Sequence, residues 1–276
     1  LLNAAFTAPE SDLVAQALTR LSAHTSPNRF EQYIQAFARA PASWRALAAP
    51  ERLAWAHARL EEASGVSVRT TMLALADQHL GHRDPAIRRR LLHDADVLRS
   101  HGKTEDQSHA TALQALLEQP QATERVPPML ATLYTKEGSV RKRFPSSAIK
   151  RHSPELWERM QDWLARCVAC KEAIDQWQAA QFNADMQTLA SEFFRHYHEL
   201  KQEADALDYD DLVARTLALL QDSATAPWVL YKLDGHIAHL LIDEAQDTAD
   251  SQWRITERLC EEFFAGAGQQ TVARRL

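Results

Sequence analysis

Four side chains within five residues, Asp243, Glu244, Gln246 and Asp247, sit inside the stretch LLIDEAQDTADSQW. An apolar run, Ile237, Leu240, Leu241 and Ile242, leads straight into them. A short continuous apolar run of this kind reads as a strand buried on both faces of a parallel sheet, expected here over 237–243. Ligands of such sheets bind beyond the carboxyl ends of the strands. Asp243 stands at that end, where a carboxylate can hold Mg²⁺, through its water shell, beside nucleotide phosphates. Asp247 adds a second acid on the nucleotide side. Glu244 is the candidate general base, accepting a proton from an attacking water. Gln246 offers a donor and an acceptor to that water or to a terminal phosphate. The plainer reading is an acidic loop that caps the helix after it. An apolar run before the acids and a helical pattern behind them favour a Walker B element instead.

A second cluster has the opposite sign. The window YTKEGSVRKRFPSSAIKR, 134–151, holds Lys136, Arg141, Lys142, Arg143, Lys150 and Arg151 against one acid, Glu137. Gly138 and Pro145 make it a loop or a short hairpin. Clustered Lys and Arg displace counterions from a nucleic-acid backbone, so the window is a candidate phosphate-contacting element. The alternative is a solvated loop whose cations pair with acids such as Glu155 and Glu158. Cys167 and Cys170 form a C-x-x-C, but no second pair or nearby His completes a metal set. Their i, i+3 spacing inside a helical pattern points to burial.

The elements that must carry these groups are mostly helical. Glycine is scarce, at 7 in 276 residues, and the chain is 45% hydrophobic and 25% charged. Segments such as PESDLVAQALTRLSAH, SPNRFEQYIQAFARA, DPAIRRRLLHDADVLRSHG and TEDQSHATALQALLEQ carry apolar residues at helical spacing. Pro41, Pro50 and Pro85 stand at expected helix starts, and Gly102 at an expected end. From Ser153 a long stripe begins: Leu156, Met160, Trp163, Leu164, Cys167, Ile174 and Trp177. Met186, Leu189, Phe193, Tyr197 and Leu200 continue it, with a break expected near Phe182-Asn183. LDYDDLVARTLALLQD and DSQWRITERLCEEFFAG are further helices, the second closed by Gly266. QQTVARRL is expected to open another strand. The end of the chain thus switches from helix after helix to strand–helix alternation. No fixed-period repeat appears, which argues against a solenoid.

Net charge is -6, so no global nucleic-acid signature exists and any such contact must be local. Three cysteines do not make a disulfide framework, and no signal peptide or apolar run of about 20 residues is present. A reducing, cytoplasmic setting is the expectation. The chain opens on Leu1-Leu2 and reads as a segment of a longer protein.

LLIDEAQDT resembles motif II of the superfamily 1 helicases of the UvrD/Rep kind. LDYDDLVARTLALL, WVLYKLDGHIAHLLIDEAQDT and QWRITERLCEEFFAG are similar to AddA-type subunits of double-strand-break repair helicase–nucleases, of the sort found in alphaproteobacteria. LYTKEGSVRKRF resembles the region ahead of motif II there. The likeness is closest over 200–276, thinner over 130–200 and faint before that. It implies a mainly α fold with two parts. Residues 1–200 would be a helical insertion, called 1B, and residues 201–276 a partial α/β RecA-like core segment of a P-loop NTPase. It also implies ATP with Mg²⁺, 3′-to-5′ translocation on DNA from a double-stranded end along a single strand, an exonuclease domain elsewhere, and an AddB-type partner subunit. No G-x-x-x-x-G-K-[ST] occurs; Gly102-Lys103 lacks the earlier glycine and the hydroxyl. The arginine finger of such enzymes, with an effect of ~10³–10⁵ on rate, is also absent. The chain alone is therefore expected to be inactive. Two other readings stand beside this one: a non-enzymatic helical adaptor, and a UvrD-like helicase of another repair pathway.

Overall fold

The computed structural model describes residues 13–40, 42–234 and 239–265. The chain divides into two compact units, Leu1–Arg195 and His196–Leu276. Its helices of six residues or more are α1 (Leu13–His24), α2 (Pro27–Ala38), α3 (Pro50–Ser64), α4 (Met72–Leu80), α5 (Pro85–His101), α6 (Thr104–Glu118), α7 (Val126–Ala131), α8 (Ser147–His152), α9 (Pro154–Glu203), α10 (Tyr209–Gln221), α11 (Ala226–Asp234) and α12 (Asp250–Ala265). None is long and apolar enough to cross a membrane among the described residues.

Local chemistry explains where these helices start and stop. Pro27, Pro50 and Pro85 each occupy the first turn, where a missing N–H costs nothing. Asp84 caps α5 by accepting from Ala86 N at 2.8 Å and Ile87 N at 2.9 Å. Thr71 caps α4 through Ala74 N. Gly81 ends α4 with φ 61°, a left-handed conformation that disfavours any Cβ. Gly102 ends α5 for a different reason: a methyl there would collide with Asp106 Cβ and the Leu98 carbonyl.

The first unit is organised around α9. This helix is unbroken for 50 residues, about 75 Å at ~1.5 Å per residue, and the break expected near Phe182-Asn183 is absent. No Gly or Pro interrupts it, so nothing in the backbone forces a kink. Leu156, Met160, Trp163, Cys167, Cys170 and Ile174 are buried, at alternating spacings of four and three. They form one core with Leu75, Leu80, Leu91, Leu98, Leu113, Leu117, Met129 and Leu133 from α4 to α7 and the turn after it. Burial of both cysteines agrees with the helical reading, and it pushes the Cys170 thiol up to about 11. Farther along α9, Leu189, Ala190 and Phe194 form a second core with Ala17, Leu21 and Phe37. The predicted stripe stops there, since Leu200 is 63% exposed.

Charged side chains of the first unit brace its helices. Asp185 is buried on α9 and takes both arms of Arg20 on α1, at 2.9 and 2.7 Å. Asp94 is buried on α5 and holds Arg159 at 2.6 Å. Arg166 donates to the carbonyls of His79 and Leu80 at 2.8 and 2.7 Å, satisfying the orphan acceptors at the end of α4.

In the second unit α12 and α11 pack on α10. Leu220 and Ala226 are buried there, whereas Leu212, Trp228, Tyr231 and Leu241 are at least half exposed. The strand expected over 237–243 is not found. Ile237 and Ala238 lie outside the described residues, Leu240 to Asp243 follow an irregular path, and Leu241 is 94% exposed. A buried strand needs neighbours that accept and donate its ladder bonds. Beyond isolated bridges, no strand forms among the described residues to supply them. The observed fold is therefore mainly α throughout. The expected strand at 269–276, together with Pro41 and Gly266, lies outside the described residues.

Candidate functional site

The acidic turn is built by an unusual backbone step. Glu244 has φ 49° and ψ 43°, the left-handed region that a residue with a Cβ enters only at a cost of about 1–2 kcal/mol. Asp243 eases that step by accepting the Glu244 N–H on Oδ1 at 2.9 Å. Ala245–Asp247 then makes a single 3₁₀ turn. The Gln246 side-chain amide donates to Glu244 Oε2 in a close contact. Asp243, Glu244 and Gln246 are thus brought together within one exposed turn. The side chain of Asp247 is outside what the structure describes.

The turn is anchored from behind. Gln252 Oε1 accepts the Ala249 N–H at 2.8 Å at the start of α12, and Gln252 Nε2 donates to the Tyr209 hydroxyl at 3.2 Å. Tyr209 opens α10, whose start is a capping box. Asp208 accepts from Asp211 N at 3.0 Å, and Asp211 accepts from Asp208 N at 3.1 Å. Lys201 clamps both acids, at 3.2 Å to Asp208 and 2.6 Å to Asp211, and Tyr197 OH donates to Asp208 at 2.9 Å. The Lys201 hydrogen bond holds the Asp211 carboxyl below its usual range. The LDYDDL segment is therefore a capping box at the start of α10, tied by Lys201 and Tyr197.

The residues of the acidic turn fit part of a magnesium site. Mg²⁺ keeps several waters and is bound through one or two carboxylates plus substrate phosphates, so an exposed Asp243 with one oxygen engaged by backbone still has acceptor capacity. No group of three or more His, Cys, Asp or Glu gathers among the described residues, so a closed metal cage is not built here.

The basic window is a short hairpin tied to the helices behind it. Tyr134 and Val140 pair as an antiparallel bridge, Thr135 N bonds Ser139 O at 2.8 Å, and Arg141 N bonds Leu133 O at 2.9 Å. Gly138 closes the hairpin with φ 81°. Behind it, Phe144 is buried edge-on to His109, with ring centroids 4.9 Å apart. Ser146 N donates to the buried Asp106 at 3.0 Å, and Gln161 donates to Phe144 O at 2.8 Å. Lys136, Lys142, Arg143, Lys150 and Arg151 are exposed, whereas Arg141 is half-buried and donates to Thr132 O at 3.0 Å. Lys150 lies over the Trp157 ring, 4.6 Å from its centroid. None of the six cations forms an ion pair among the described residues, with Glu155 and Glu158 or with any other acid. Asp106, which pins this hairpin, went unseen in the sequence; its signal was an acid three residues into a helix that follows a glycine stop.

Comparison with known proteins follows the same lines. The family model described as "UvrD/REP helicase N-terminal domain" matches residues 67–271. The "Exonuclease/helicase subunit RexA" of Lactococcus lactis is 31% identical over 98 residues, 34% of this chain and 8% of that protein. The "ATP-dependent DNA helicase UvrD1" of Mycobacterium bovis is 31% identical over 117 residues, 40% of this chain and 14% of the relative. An "ATP-dependent DNA helicase PcrA" of Leuconostoc citreum is 35% identical over 79 residues, 29% of this chain and 10% of its own length. The aligned part of the chain is thus a small fraction of each relative. No solved structure matches.

Proposed function

Because the chain belongs to the UvrD/REP helicase N-terminal domain family, we propose that it is part of an ATP-dependent DNA helicase and carries the acidic half of the ATPase site. The observation that supports this best is the left-handed turn that sets Asp243, Glu244 and Gln246 together in the open. Asp243 is the residue that would hold Mg²⁺, with Asp247 beside it. The ion would neutralise charge building on the phosphates when bound. Glu244 would take the proton of the attacking water, and the Gln246 amide, donating to Glu244, orients that carboxylate. The phosphate-cradling loop and the arginine finger would come from outside this chain, which alone should not turn over ATP.

Residues 1–200 are read as the helical 1B-type insertion and 201–276 as a slice of a RecA-like core. The exposed apolar side chains of the second unit fit a slice whose sheet neighbours lie elsewhere in a larger protein. The basic window is read as a contact to the DNA backbone. Movement 3′ to 5′, a linked exonuclease, an AddB-type partner and a cytoplasmic setting belong to the same proposal, by likeness to helicases that work with a nuclease.

The test uses a full-length protein containing this chain. Glu244→Gln should abolish ATP turnover while nucleotide binding persists, because glutamine keeps the shape and loses the base. Asp243→Ala should weaken Mg²⁺-dependent nucleotide binding. Near-normal turnover in the Glu244 variant would remove Glu244 from the base role.

A further inference from the structure

One side chain ties two helix starts of the second unit together. Gln252 is the third residue of α12, and its Oε1 accepts the Ala249 N–H at 2.8 Å. Ala249 stands just before the helix and has no side-chain acceptor of its own, so this bond is the reciprocal half of a capping box. A backbone N–H can only donate, which fixes the amide oxygen of Gln252 toward Ala249 and the amide nitrogen toward Tyr209. Nε2 donates to the Tyr209 hydroxyl at 3.2 Å. Tyr209 is the first residue of α10, and the start of α10 is held by Asp208, Asp211, Lys201 and Tyr197.

The acidic turn has almost no slack relative to that joint. Thr248 N bonds Ala245 O at 3.3 Å, and only Thr248 and Ala249 separate the 3₁₀ turn from α12. The hydrogen bonds of Glu244 itself are local: its N–H goes to Asp243 Oδ1, and its Oε2 accepts the Gln246 amide. Local bonds set how the carboxylate is turned. They cannot set where the turn stands on the helices before it. Apolar packing of α12 on α10 is non-directional and leaves α12 free to slide or rotate by small amounts. Among the described residues, no other side-chain hydrogen bond or ion pair links 239–265 to those helices. The directional constraint on the turn is therefore the bond between Gln252 and Tyr209.

We propose that Tyr209 and Gln252 are positioning residues for ATP hydrolysis, whose hydrogen bond fixes α12 on α10 and so places Glu244 for the attacking water. This rests on the reading of Glu244 as the general base. A base acts only within hydrogen-bond reach of the proton it takes, about 2.6–3.2 Å. A displacement of about 1 Å, caused far from the reacting atoms, can lower a rate by ~10²-fold. Neither Tyr209 nor Gln252 has to touch the nucleotide for this, since both act through the short lead into the acidic turn. Their loss therefore falls on the chemical step and not on ATP affinity.

The experiment measures kcat and KM for ATP, with single-stranded DNA present, in a full-length protein containing this chain. Tyr209→Phe and Gln252→Leu should each lower kcat roughly 10-fold or more while KM stays within about twofold, the mark of a contact that acts on the chemical step. Tyr209→Phe should melt as the wild type does, because Tyr209 is 68% exposed. The double variant should be no slower than Gln252→Leu alone, since both changes remove the same bond. Gln252→Glu should keep most of the turnover, because a carboxylate accepts both the Ala249 N–H and the Tyr209 O–H, and adding Tyr209→Phe to it should remove that rescue. Wild-type kcat in Tyr209→Phe, additive losses in the double variant, or a Gln252→Glu as slow as Gln252→Leu overturns the positioning role while Glu244→Gln is inactive. Near-normal turnover in Glu244→Gln overturns instead the reading of Glu244 as the base, on which the proposal rests.

Discussion

His109 is fully buried, with its ring edge-on to Phe144 of the first core. Trp163 Nε1 donates to its Nε2 at 3.0 Å, so the proton sits on Nδ1 and is donated to Thr132 Oγ1 at 2.7 Å. Thr132 in turn donates to Met129 O at 2.6 Å. Burial lowers the imidazole pKa to about 3, which keeps the ring neutral. In the unfolded chain the ring takes a proton near pH ~6.5. The unfolded state therefore binds more protons between those values. Folding stability is fully present above ~6.5 and falls by about 1.4 kcal/mol per pH unit as pH drops toward 3. Urea melts of the wild type and His109→Gln across pH 7 to 4 check this: the wild type should lose more stability than the variant. At the same scale, Gly102→Ala should cost about 1–3 kcal/mol, because the added methyl meets Leu98 O and Asp106 Cβ in a packed site. Thermal denaturation of that variant is the measurement. Removing Arg20 would leave Asp185 buried without its bidentate partner, and the melting temperature of Arg20→Met should fall accordingly.

At the scale of elements, α9 is the axis on which two cores are built, and its seam predicts where the chain is weakest. Met160 is 1% exposed in the middle of that seam. Met160→Ala should cost about 2–5 kcal/mol, the range for a large buried side chain cut to Ala. Leu200, on the same helix but exposed, should tolerate the same change within about 0.5 kcal/mol. The basic hairpin makes a different prediction. Its backbone is pinned by Asp106 and Gln161 while its cations stay outside, so R141A/K142A/R143A should change binding more than folding. On a duplex, the slope of log affinity against log salt should drop by up to ~0.9 for each phosphate no longer neutralised. A fall in melting temperature with an unchanged slope would instead make the cations structural, and Arg141, which bonds Thr132 O, is the one most open to that outcome.

For the molecule as a whole, the two units differ in how complete their packing is. The first buries a continuous core from α4 to α9, and the second leaves Trp228, Tyr231 and Leu241 at 65, 72 and 94% exposed. Far-ultraviolet circular dichroism should be helix-dominated, since the described residues are mostly in helices. A strand-dominated spectrum would contradict the fold. ATPase assays of the purified chain, with and without DNA, should read background. Activity that persists through purification and vanishes on Glu244→Gln would show that the chain completes its own site.

What the sequence determined by itself was everything that depends on neighbours along the chain. Helix identity followed from apolar residues at spacings of three and four, and starts and stops followed from Pro50, Pro85 and Gly102. The buried face of α9 was legible from Leu156 to Ile174. The local pattern could not reveal what depends on distant partners. An apolar run is a buried strand only if other strands bond to it, and Leu240 to Ile242 found none among the described residues. The stripe on α9 stops at Phe194 because burial needs α1 and α2 opposite, and Leu200 has no such cover. Asp106 bonding Ser146, Gln252 reaching Tyr209 and His101 stacking on His152 join residues 40 to 51 positions apart. Only tertiary structure decides such contacts, because side-chain geometry across elements is set by how helices pack and not by the spacing within any one of them.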